Sequence, residues 1–154
     1  ERETLLEWGI VSRLDVLQAV ILTHRLKSLE GKIFGRRSNA ARYRRKLDPR
    51  FIFIPPCQER EFNIFQNFVI QVDHRDELRA YLRDHKIRTA IHYPIPIHLQ
   101  PAASVIPRGR DSLARVERQA SRILSLPVHP YLTDGQIDHV CCTINQFYRD
   151  KDRL

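Results

Sequence analysis

Gly9-Ile10-Val11-Ser12-Arg13-Leu14-Asp15-Val16-Leu17-Gln18-Ala19-Val20-Ile21-Leu22 reads as a helix that opens behind a glycine turn. Ser12 stands three residues before Asp15, the spacing of a capping box with Asp in place of the usual Glu. The apolar residues that follow do not keep to one side. At about 100° per residue, Leu14, Val16, Leu17, Ala19, Val20, Ile21 and Leu22 point nearly all the way round. A helix that is hydrophobic all round is buried all round. Little else in the chain could cover both sides of it, so this helix calls for protein beyond the printed residues.

Outward from that stretch, the helix is expected to continue through Leu26 and Leu29 and to stop or bend near Gly31. Ile33, Arg36, Ala40, Tyr43 and Leu47 then fall on one narrow helical stripe, and Asp48-Pro49 ends the element because proline disfavours helix in the residue before it. Phe51 to Ile54 is a short strand candidate closed by Pro55-Pro56. Phe68, Ile70 and Val72 alternate with Val69 and Gln71, the period of a strand. Asp73 is placed to cap a helix from Arg75 to His85 with Leu78, Tyr81 and Leu82 inward, and Ile87 to His92 alternates again. A proline-rich loop runs from Tyr93 to Asp111, longer than a plain connector needs. Leu113, Val116, Ala120, Ile123 and Leu124 mark another helix, broken at Ser125-Leu126-Pro127. Thr133 and Gln136 form a capping box for a last helix that turns Ile137, Val140, Cys141, Ile144, Phe147 and Tyr148 inward. The expected architecture is α/β, more strictly an α+β small domain: a long N-terminal helical strut, then a small sheet with helices packed on one face.

The bulk numbers narrow the class. With 154 residues, 42% hydrophobic and 29% charged, the chain is that of an ordinary globular protein. No apolar run reaches the length that spans a bilayer, so no membrane partner is expected. Three cysteines without framework or zinc-like spacing point to a reducing cytoplasm. The chain contains no methionine, so a piece of a longer protein is expected. A net charge of +8 calls for anionic partners. Seven basic residues lie between Arg36 and Arg50, but a solvated helix face is the plainer reading, because base-stacking aromatics are sparse there and nucleic acid is not expected.

Chemistry-bearing residues are few. His92, His98 and His129 lie beside prolines or loop segments, no histidine pair has the spacing of a helical metal site, and no metal is expected. His92 and Tyr93 end a predicted strand where a loop begins, a position that suits binding groups held by a rigid scaffold. A strand-end histidine satisfied by backbone is the competing reading. No glycine-rich phosphate loop and no complete catalytic constellation is present.

The motifs themselves carry a resemblance. The opening stretch is similar to the G-x-N-x-R-L-D-x-L-Q-A-A-x-L segment of the DegT/DnrJ-type sugar aminotransferases, which depend on pyridoxal 5'-phosphate and have fold type I. Arg36, Ala40, Tyr43 and Leu47 match a later helix of that family, and Phe68-Val69-Ile70 with Arg75-Asp76-Glu77-Leu78 matches its "F/Y-V-I … R-D-E-L". Ile87-Arg88-Thr89-Ala90-Ile91-His92-Tyr93-Pro94-Ile95-Pro96-Ile97-His98-Leu99-Gln100-Pro101-Ala102 is the most specific match. Glu117, Leu124-Ser125-Leu126-Pro127-Val128-His129-Pro130 and Leu132-Thr133 complete the series in order.

The resemblance implies the C-terminal portion of an enzyme that moves an amino group from glutamate or glutamine to a keto-sugar nucleotide. Residues 1–48 would be bridging helices and 49–154 the small C-terminal domain, with the large domain and its Schiff-base lysine upstream. It implies a homodimer joined through the N-terminal helix, a nucleotide-sugar substrate, and Arg13, His92 and Tyr93 as substrate-binding residues. No catalytic residue is expected within this chain. Val11 replaces the family's asparagine that reaches the cofactor phosphate of the neighbouring subunit, so no cofactor-binding residue is expected here either. Lys86 replaces a glycine at a helix end, and Gln66 stands where many members have histidine. These departures motivate an alternative: a diverged or truncated remnant that acts as a non-catalytic interaction module.

Overall fold

The computed structural model describes residues 13–58, 60–100 and 113–153. The chain falls into two compact units, residues 1–31 and 32–154.

In the first unit, helix α1 (Val16–Leu26) has Asp15 as its N-cap, in extended backbone and without a side-chain capping bond. The helix therefore starts later than the Ser12–Asp15 spacing predicts; Ser12 lies outside the described residues. None of the residues of α1 is buried, and Val16 and Leu17 are 79% and 71% exposed. Helix α2 (Leu29–Lys46) begins before Gly31 rather than breaking there. The break comes at Lys27-Ser28, where the Ser28 N–H and hydroxyl both donate to the Arg25 carbonyl, at 3.2 and 3.1 Å. A serine side chain that bonds back to the preceding turn competes with helix propagation.

The second unit is built on a three-stranded antiparallel sheet in the order β1 (Ile52–Phe53), β2 (Phe68–Val72), β3 (Ile123–Leu126). Along β2, Phe68, Ile70 and Val72 are buried while Val69 and Gln71 are half-buried, as the alternation predicts. Phe68 pairs with Leu126 and Ile70 with Leu124, so the large apolar side chains of the two strands share a face. Against that face pack α3 (Arg75–Asp84) through Leu78 and Leu82, and α5 (Asp134–Lys151) through Ile137, Val140 and Ile144. Ala40, Tyr43 and Leu47 near the end of α2 belong to the same core, with the Tyr43 ring stacked 5.0 Å from Phe68. Such aromatic pairs add about 1 kcal/mol beyond their buried area.

Local chemistry explains most element ends. The Thr133–Gln136 capping box of α5 is fully formed. Helix α3 starts differently from expectation: its N-cap is His74, in left-handed backbone at φ 53°, and not Asp73. Asp73 is engaged elsewhere, its carboxylate 3.0 Å from the Arg122 guanidinium and its carbonyl accepting from the Tyr148 hydroxyl at 2.6 Å. At the other end of α3, the Ile87 N–H donates to the Leu82 carbonyl and the Lys86 N–H to that of Arg83, a Schellman motif with Lys86 left-handed at φ 63°. The strand predicted over Ile87–His92 shrinks to one bridge, Ala90 with Ser125. The helix predicted from Leu113 through Leu124 ends early: α4 (Ala114–Arg122) passes directly into β3.

Candidate functional site

Two neighbouring chain segments form a cleft on the side of the sheet away from the core. Ser125 lies between Leu124 and Leu126 on β3, so when those leucines turn inward its side chain turns outward. The Ser125 N–H and carbonyl are both paired to Ala90, at 2.8 and 3.1 Å. This bridge holds the segment that carries His92 beside β3, and the His92 Nδ1 lies 2.9 Å from the Ser125 hydroxyl. Ser125 is only 5% exposed, so the partner that orients the ring is itself fixed. With Nδ1 engaged, Nε2 is the nitrogen left to meet a ligand. Which nitrogen carries the proton depends on the direction of the serine hydroxyl.

Tyr93 follows through a cis peptide bond, its ring edge-on to His92 at 5.6 Å and 74% exposed. The cleft has a volume of about 310 Å³ and is lined by His92 and Ser125 together with Arg36, Gln66, Arg88 and His129. Arg36 is held in the cleft wall by its guanidinium, which donates to the Phe65 and Gln66 carbonyls, both at 3.2 Å, and keeps its positive charge.

The far wall, Pro127 to Pro130, is docked on α2 by residues four apart on one helical face. Gly35 lies under Pro130, with only 3.0 Å between the position of a Cβ and the proline Cβ. Asn39 Nδ2 donates to the His129 carbonyl at 2.8 Å, and the Tyr43 hydroxyl to that of Pro127 at 2.9 Å. Desolvation by burial pushes the Tyr43 hydroxyl well above the ordinary tyrosine range, which keeps it protonated as a donor. The entrance of the proline-rich loop is tied down where His98 Nε2 meets Glu117 Oε1 at 3.1 Å.

The predicted site residues are placed as follows. His92 and Tyr93 adjoin each other at the cleft in the second unit. Arg13 lies in the first unit, exposed, just ahead of α1. Val11 lies outside the described residues. Sequence reasoning missed Ser125 and the Gly35–Asn39–Tyr43 row. The alternation of Leu124-Ser125-Leu126 was the available signal for the first, and the four-residue spacing for the second.

The basic run from Arg36 to Arg50 is largely committed within the chain. Arg37 donates to the Asn63 carbonyl at 2.7 Å, Arg44 to that of Pro55 at 2.9 Å, and Arg50 grips Asp48. Arg42 makes a two-pronged contact with Asp138 at 2.6 and 2.7 Å and reaches Asp134 at 2.6 Å, while Lys46 lies 2.6 Å from Asp138. These pairs fasten α2 to α5. Among the described residues no cluster of histidine, cysteine and carboxylate groups has a metal-holding arrangement.

Pyridoxal phosphate needs a lysine for its Schiff base, and no lysine lines the His92 cleft. Lys46 and Lys151 are engaged with Asp138 and Glu77, both at 2.6 Å, and Lys86 sits in the turn after α3. Among the described residues, the His92 cleft itself therefore offers no Schiff-base amine to that cofactor.

The DegT/DnrJ/EryC1/StrS aminotransferase family model matches residues 1–145. The UDP-2-acetamido-2-deoxy-3-oxo-D-glucuronate aminotransferase of Pseudomonas aeruginosa is 33% identical, over 88% of this chain and 37% of that protein. Among solved structures, S. venezuelae DesV in complex with a ketimine intermediate superposes with a TM-score of 0.85 at 32% identity. The match covers 96% of this chain and 40% of DesV. NtdA from Bacillus subtilis with bound cofactor PMP gives a TM-score of 0.81 at 28% identity, covering 95% of this chain and 35% of that one. The chain thus spans well under half the length of the relatives it matches.

Proposed function

The chain belongs to the DegT/DnrJ/EryC1/StrS aminotransferase family, and from that premise we propose that it is the C-terminal portion of a pyridoxal-phosphate-dependent aminotransferase. The whole protein would move an amino group from glutamate or glutamine to a keto-sugar nucleotide in the cytoplasm. The observation that carries the reading is the fixed His92 ring beside exposed Tyr93, at a cleft built from the motifs that match the family.

In this reading the contribution of the chain is recognition. Ser125 donates its hydroxyl proton to Nδ1 of His92, which leaves Nε2–H as a donor to a substrate oxygen. A donor held in place by a buried partner loses little conformational freedom on binding. Tyr93 adds a phenol that carries both a donor and an acceptor, and a flat ring face for the sugar. Arg13 supplies a planar cation for an anionic group. The cofactor, held by protein outside this chain, supplies the electron sink for amino-group transfer. Residues 1–48 serve as bridging helices and 49–154 as the small domain. The apolar circumference of α1 is covered by the large domain and by a second subunit of a homodimer, which removes its exposed side chains from water.

The test is substrate binding by the full-length protein. Replacing His92 with Ala should raise KM for the nucleotide-sugar with a smaller effect on binding of the amino donor. An unchanged KM would remove His92 from substrate recognition.

A further inference from the structure

In the Arg36–Arg50 run, Arg42, Lys46 and Arg50 pair with carboxylates, and Arg36, Arg37 and Arg44 are held by backbone carbonyls. A second concentration of positive charge lies at α3. Arg79 and Arg83 stand one turn apart on α3, hence on one face of it. The Schellman turn then reverses the chain through left-handed Lys86, anchors it with buried Ile87, and brings Arg88 back beside the helix. All four cations line a single concavity of about 720 Å³, floored by Ala80 and Ile87 and edged by Thr89. Among the described residues, no ion pair or hydrogen bond engages the side chains of Arg79, Lys86 or Arg88. Arg83 has only a solvent-exposed approach to Asp84, at 3.8 Å. The one acid in the lining, Asp76, is 77% exposed and lies 2.7 Å from Arg75, so the lining carries four cations against one carboxylate.

Four like charges around one hollow repel one another, and like charges four apart on a helix destabilise it. An anion in the hollow reverses the sign of that term. Guanidinium forks match phosphoryl oxygens two at a time. The hollow exceeds what one phosphoryl group fills and lies within the size range of small-ligand sites.

We propose that this groove binds a diphosphate, with its two phosphoryl groups bridging the Arg79–Arg83 pair of the helix and the Lys86–Arg88 pair of the turn. The proposal rests on the groove alone and not on the aminotransferase reading.

The test is calorimetric titration of the full-length protein with inorganic pyrophosphate, in buffer containing pyridoxal phosphate. Saturable binding that weakens as salt rises is expected. The double variant Arg79→Gln/Arg83→Gln should bind about tenfold or more weakly, since each charge-assisted contact is worth about that much. Arg45→Gln, a basic change elsewhere, should bind as the wild type does. Thermal unfolding without ligand checks that the double variant is folded; if it is not, Lys86→Gln carries the same expectation. Uridine diphosphate separates the sources of the chemistry: equal affinity assigns the site to the diphosphate alone, and tighter binding, lost in the same variants, assigns it to a nucleotide-borne diphosphate. No pyrophosphate binding, equal loss in Arg45→Gln, or binding unaffected by the groove variants would overturn the proposal. So would inorganic phosphate binding as tightly as pyrophosphate, or displacement of pyrophosphate by a lower concentration of a short oligonucleotide.

Discussion

The Nδ1 of His92 and the hydroxyl of Ser125 meet at 2.9 Å, and the same serine pairs its backbone with Ala90 two residues before the histidine. One residue thus fixes both the segment and the ring. Ser125→Ala removes only the second contact. The backbone bridge should persist, so stability should change little, while KM for the nucleotide-sugar rises about threefold to tenfold, the worth of one ordinary hydrogen bond. Equal KM values for wild type and variant would show that the ring needs no such partner.

Lys86 adopts a left-handed conformation at φ 63°, where a side chain costs about 1 kcal/mol relative to glycine. Lys86→Gly should therefore raise stability by up to about 1 kcal/mol, less whatever the freer unfolded chain takes back. Urea unfolding measures it. A clear loss of stability would mean that the lysine side chain supports the turn.

Two glycines of α2 should answer oppositely to the same change. A Cβ at Gly31 meets nothing within 4 Å, so Gly31→Ala should gain up to about 1 kcal/mol from helix propensity alone. At Gly35 a Cβ would lie 3.0 Å from the Pro130 Cβ and 3.2 Å from its backbone. Gly35→Ala should push the Pro127–Pro130 wall off the helix and destabilise the protein. Matched denaturation curves that place Gly35→Ala above Gly31→Ala would contradict this packing.

Acid should loosen the join between α2 and α5. The hydrogen bonds from Arg42, then Lys46, hold the Asp138 carboxyl well below the usual carboxylate range, and those from Arg50 lower Asp48 to about 2. Because both folded values are depressed, their contribution is complete above the ordinary carboxylate value of roughly 4. It is lost progressively as pH falls from there toward 2 and below. Stability should accordingly decline across that interval, and Asp138→Asn should be less stable at neutral pH with a shallower acid decline. Parallel pH profiles for the two proteins would remove Asp138 from the account.

Much of this architecture is legible in the sequence. Alternation located β2, and the Thr133–Gln136 spacing located the start of α5, because both signals are satisfied by neighbours in sequence. The failures share a cause. Asp73 does not cap α3, since Arg122 and Tyr148, distant in sequence, take its polar groups. Ile87–His92 alternates like a strand yet finds only one pairing partner along β3, at Ser125. At the cleft, His92 and Tyr93 stood out through their motif, whereas Ser125 has meaning only once β3 lies beside Ala90. The departure at Lys86 was visible as a missing glycine, and the positive φ there shows what that glycine would relieve.

The central claim is that this chain completes a sugar aminotransferase, and a half-reaction on the full-length protein tests it most directly. After reconstitution with pyridoxal phosphate, glutamate or glutamine should convert the cofactor absorbance to that of the amine form. A keto-sugar nucleotide should then restore it, with the aminated sugar nucleotide appearing in equal amount. A full-length protein that takes up no cofactor, or whose absorbance answers to neither partner, would contradict the claim and favour a non-catalytic interaction module.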